Sequence, residues 1–138
     1  MTLEQIGKNL PALFGALLVS ILFIQSGLDK VFDWKGNLEW LTGHFSKTFL
    51  RGMVASMLAT ITLMELATGF LSAIGILYFL IANSTILIFY ASILGAASVL
   101  ALFFGQRVAK DYAGAAVLIP YFILLIILMY LTNPFSHI

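Results

Sequence analysis

The sequence predicts an all-α integral membrane protein, a four-helix bundle with an amphipathic segment between its first and second spanning helices. Three observations point there. Of 138 residues, 62% are hydrophobic and 9% charged, whereas a soluble domain averages roughly 45–50% apolar and about 25% charged. Mean hydropathy is +1.07. The charges are also bunched, with seven of thirteen inside residues 29–51 and long uncharged runs elsewhere. The same composition excludes other classes. A net charge of +1 with no basic stripe excludes nucleic acid as a partner. With no cysteine there is no disulfide, CxxC redox pair or thiolate metal site. His44 and His137 lack ligand spacing, so no metal site is expected.

In chain order, residues 1–9 read as a short mixed-charge start. Pro11 then opens the first span, where a missing N–H costs a helix nothing. The predicted helix covers about 11–30, a membrane-crossing length. It runs directly into Asp29-Lys30-Val-Phe-Asp33 with no small-residue cleavage site, so a retained helix is expected rather than a signal peptide. In the 29–51 segment, Leu38, Leu41 and Phe45 fall at helical spacing, with Trp34 one turn earlier. That pattern suits a short helix lying in the headgroup layer, or a wet loop anchored by aromatics.

From Gly52 to Gly105 the chain is apolar for too long to cross only once. Gly75 is the expected hairpin turn. This predicts helices over about 53–74 and 77–104, the second bending near Asn83-Ser-Thr85 or Gly95. A polar break, Gln106-Arg107-Val-Ala-Lys110-Asp111, precedes a last helix over about 113–131, in which Pro120 is expected to kink the backbone. Four crossings put both termini on one side with Lys8 alone. Lys30, Lys35, Lys47, Arg51, Arg107 and Lys110 lie on the other side, which is therefore predicted cytoplasmic.

Glu65 is the only charge between Gly52 and Gly105. A lone ionised carboxylate in hydrocarbon costs roughly 2.5–3.5 kcal/mol on insertion scales, so it must find a partner, a polar cavity or a proton. Thr62, Glu65, Thr68, Gly69 and Ser72 recur at spacings of three and four, a polar, small-residue stripe that faces protein rather than lipid. With a turn at Gly75, Asn83 would sit opposite Glu65 and hydrogen-bond to it. A ligand head would then meet Glu65, Asn83 and Thr62, with Gln25 as a bridge toward Lys30. Lys30, Arg107, Asp29 and Asp111 are expected to form a charged cluster at the bundle mouth, or simply to snorkel into headgroups. The small-residue pairs Ala16/Ser20, Ala55/Ala59 and Ala91/Gly95 predict close helix crossings.

Ser26-Gly27-x-x-Lys30, then Glu65-x3-Gly69-x5-Gly75, then Gln106-Arg107…Lys110-Asp111, in this order and spacing, resemble the DoxX family of small four-helix bacterial membrane proteins. The likeness spans roughly residues 10–132. It implies a multi-pass protein of the bacterial cytoplasmic (inner) membrane, associated with redox systems that include a thiosulfate:quinone oxidoreductase. The expected function is an accessory subunit of a quinone-linked complex, with a quinone or lipid head near Glu65. The alternative is a structural or assembly subunit without ligand chemistry. A membrane-protein partner or homo-oligomer is expected beside the bilayer, and the absence of cysteine excludes thiol catalysis by this chain.

Overall fold

The computed structural model describes residues 1–135 of the chain, and His137 lies outside the described residues. Its helices are α1 (Leu3–Lys8), α2 (Leu10–Phe32), α3 (Trp34–His44), α4 (Val54–Ala82), α5 (Ile86–Val108) and α6 (Tyr112–Thr132), with a 3-10 turn over Arg51–Met53 before α4. Four of them, α2, α4, α5 and α6, are long and apolar enough to cross a membrane. The protein is an all-α, multi-pass membrane bundle. Its short start is helical because Thr2 and Gln5 form a reciprocal capping box, and Glu4 and Lys8 pair one turn apart at 3.4 Å.

Consecutive spans are antiparallel neighbours. α4 packs along α2 on one side and α5 on the other, and α5 packs along α6; α2 and α6 close the ring more loosely. The central core joins Ala16, Val19 and Phe23 of α2 to Ile88 and Val99 of α5 and Leu125 and Leu128 of α6. Small residues let the backbones approach. A Cβ on Gly69 would lie 2.7 Å from the backbone N of Ile24, and one on Gly75 2.9 Å from that of Ile88. Ala16 is fully buried, and its carbonyl accepts from both Ser20 and Ser72 Oγ, each at 2.8 Å. Ala91 and Gly95 are likewise buried. Ala55 and Ala59, expected at a crossing, are instead exposed on the outer face of α4.

The expected turn at Gly75 is corrected. α4 runs on to Ala82, and the hairpin turn is Asn83-Ser84-Thr85, so the next span begins at Ile86 instead of near residue 77. Gly75 serves the α4–α5 crossing, where a side chain would strike backbone. Asn83 caps α4 in the left-handed region (φ 54°, ψ 40°), its N–H bonded to the carbonyl of Phe79 at 2.8 Å. Thr85 Oγ1 ties the turn to the end of α6 by donating to the Thr132 carbonyl at 3.2 Å. A residue other than Gly or Asn pays roughly 1–2 kcal/mol in that backbone region. Asn83→Ala is therefore expected to lower unfolding stability in detergent by about 1 kcal/mol and Asn83→Gly to leave it near wild type.

α3 is the predicted amphipathic segment. None of its residues is fully buried, but Leu38 and Leu41 rest on a small cluster of Phe45, Leu50 and Val54. α6 continues through Pro120 without a break in the helix.

Candidate functional site

Glu65 is paired with Lys30. The ammonium Nζ lies 3.1 Å from Oε1 and 3.3 Å from Oε2 of a carboxylate only 2% exposed. The ammonium also lies 3.0 Å from Ser26 Oγ and 3.5 Å from the Ser26 carbonyl. Oε1 is the nearer carboxylate oxygen, buried and in ion-pair contact with Nζ, which approaches it outside hydrogen-bond geometry.

Local sequence explains the meeting. Ser26 and Lys30 are one turn apart on one face of α2, and Gly27 and Gly69 bring α2 and α4 close on that face. A Cβ on Gly27 would touch Leu66, the neighbour of Glu65, at 2.5 Å. α4 is also longer than α2, 29 residues against 23. Its first turns extend past the end of α2 and pack beneath α3. Glu65 therefore lies level with the last turn of α2 and meets Lys30 directly, without the expected bridge through Gln25. That glutamine is exposed on another face of α2, beside Ile21 and Asp29.

The buried stripe is as expected, with Thr62, Glu65, Thr68, Gly69 and Ser72 all inside the bundle. Of the expected ligand contacts, one is out of reach of Glu65 and another has its hydroxyl proton engaged. Asn83, eighteen residues farther along the same helix, stands roughly 27 Å from Glu65; the pairing fails because the turn falls after it rather than before it. The Thr62 hydroxyl donates to the Leu58 carbonyl of its own helix at 2.6 Å. Thr68 likewise donates to Met64, at 2.7 Å.

The expected charged cluster does not assemble either. Lys30 turns inward, the Arg107 guanidinium sits over the Tyr112 ring at 4.5 Å, and Asp111 Oδ1 caps α6 by accepting from the Gly114 N–H at 2.9 Å. The mouth is organised instead around His44, whose part the sequence reading missed. Its Nε2–H donates to Gln106 Oε1 at 2.8 Å, its ring stacks on Trp40 at 4.5 Å, and Asp111 Oδ2 lies 3.8 Å away. The four-residue spacing of Trp40 and His44 was the available signal, because it places both rings on one helix face.

Two cavities flank the ion pair. The outer one, about 280 Å³, has Lys30, Asn37, Trp40 and Gln106 as its polar lining and leucines, Met57 and Ile61 as its apolar lining. The inner one, about 150 Å³, is lined by Ser26, Glu65 and Tyr121 among apolar side chains. Leu102 and Leu118 line both and stand between them.

The fold and this site define a class: a four-span membrane bundle with a buried ion pair set between two cavities. No family model, curated protein or solved structure gives a match to the chain.

Proposed function

We propose that the chain is an accessory membrane subunit of a quinone-linked redox complex, akin to the DoxX proteins that it resembles, and that a quinone or lipid head docks beside Lys30–Glu65. The observation that carries this is the buried Lys30–Glu65 pair, whose carboxylate stands on the wall of the inner cavity with Oε1 held by ion-pair contact alone. A carboxylate oxygen has lone pairs beyond that contact, and a hydroxyl from a bound head would supply a hydrogen bond to one of them. Ser26 and Tyr121 line the same cavity and offer hydroxyls to a carbonyl. The apolar lining suits a ring or chain. These groups take the place of Thr62 and Asn83 as ligand contacts.

The DoxX resemblance implies the bacterial cytoplasmic (inner) membrane, and the lysine and arginine distribution favours the α3 end inside and both termini outside. The exposed apolar faces meet lipid and, in part, a partner subunit or second copy.

The test is solvent extraction of protein purified in mild detergent, followed by mass spectrometry. One quinone or lipid species should be retained near one per chain, and Lys30→Met/Glu65→Leu should lose it at least tenfold. Equal recovery from both proteins would leave the pair with only a packing role, as in a structural subunit.

A further inference from the structure

We infer that α3 is the movable roof of the outer cavity and that this cavity takes up a neutral amphiphile, an apolar chain with an uncharged hydrogen-bonding head, from the headgroup layer. This rests on the reading that the bundle holds a ligand beside Lys30–Glu65.

The roof is held by few contacts. α3 and the residue after it provide one wall of the cavity through Asn37, Trp40, Leu41 and Phe45, yet α3 itself has no fully buried residue. Its tie to α5 is concentrated at one end. There His44 donates to Gln106, and the ring tip of Phe45, 7% exposed, meets Gly105, where a Cβ would lie 3.4 Å from its Cζ. The opposite end is a one-residue joint, Asp33, between α2 and α3. A helix hinged at one end, resting on α4 through the half-buried Leu38 and Leu41, and fastened to α5 by one side-chain hydrogen bond and one ring can swing without unfolding a span. Trp40 stays 60% exposed while lining the cavity, so its ring stands at the edge between the cavity and the outside. Trp is favoured at that membrane depth.

The lining argues for an uncharged guest. Lys30 and Glu65 neutralise each other, so an anionic head would draw Lys30 away and strand a buried carboxylate, and a cationic head would strand the lysine. Asn37 and Gln106 supply amide groups for a neutral head, and the remaining lining is almost wholly apolar.

The native chain has no cysteine, which makes a thiol test clean. Leu58 lines the cavity and is 2% exposed. Leu58→Cys, reconstituted in phosphatidylcholine vesicles, should react slowly with N-ethylmaleimide. Adding His44→Ala and Gln106→Ala should speed alkylation at least tenfold. Ser72→Cys, buried at the α2–α4 crossing, should stay equally slow in both backgrounds. Octanol should slow labelling of Leu58→Cys, whereas octanoate and octylamine should not.

An unchanged rate at Leu58→Cys, or acceleration shared by Ser72→Cys, would overturn the roof. Protection by octanoate or octylamine in place of octanol would overturn the neutral guest. These rates need no native ligand, so they fail or succeed separately from the extraction experiment.

Discussion

Lys30→Met is expected to destabilise the bundle by about 3–5 kcal/mol, because it leaves the Glu65 carboxylate buried without its counter-charge. Replacing both residues, as Lys30→Met/Glu65→Leu, should recover most of that loss, since two apolar side chains need neither hydration nor each other. Glu65→Gln should cost less than Lys30→Met. The reason is position: the Lys30 side chain is 19% exposed and two residues from the end of its helix, while Glu65 is 2% exposed. A lysine without its partner can extend toward the interface, but a glutamate without its partner cannot. The check is a double-mutant cycle by denaturant unfolding in micelles. Additive single effects would mean that the pair has no coupling worth the name, and the site would lose its organising element.

Gly69→Ala is the second large effect. The new methyl would meet the backbone N of Ile24 at 2.7 Å and its Cγ1 at 2.6 Å. A backbone cannot rotate aside, so α2 and α4 must separate, at a cost of about 1–3 kcal/mol or more. The separation should also loosen Lys30 from Glu65, so the coupling measured in the cycle should shrink in a Gly69→Ala background. Gly43→Ala, inside α3 with nothing within 4 Å of its Cβ, should instead stabilise by about 0.5–1 kcal/mol through lost chain entropy. The two alanines are chemically the same change with opposite expected signs. Unfolding midpoints moving the same way would show that backbone contact at Gly69 does not govern the crossing.

Much of the architecture was legible because solvent chemistry writes it locally. Uncharged runs mark spans, and bunched charges mark their ends. The stripe from Thr62 to Ser72 was legible for the same reason, since helical spacing decides which side chains share a face. The hairpin turn was not. Gly75 and Asn83 are both residues that can end a helix, and only the backbone of Ile88 pressing on Gly75 tells a close crossing from a turn. That one displacement, from residue 75 to residue 83, moved Asn83 from opposite Glu65 to the far end of the same helix. His44 was missed because its value lies in a distant residue, Gln106, brought near by the fold of α3 over the bundle.

Sequence alone determined that this chain crosses a membrane four times and that Glu65 turns inward, because the bilayer penalises exposed charge whatever the packing. Only the tertiary structure decided which cation answers it. That choice depends on how far α4 overshoots α2, a sliding register set by glycine-to-backbone contacts between helices remote in sequence.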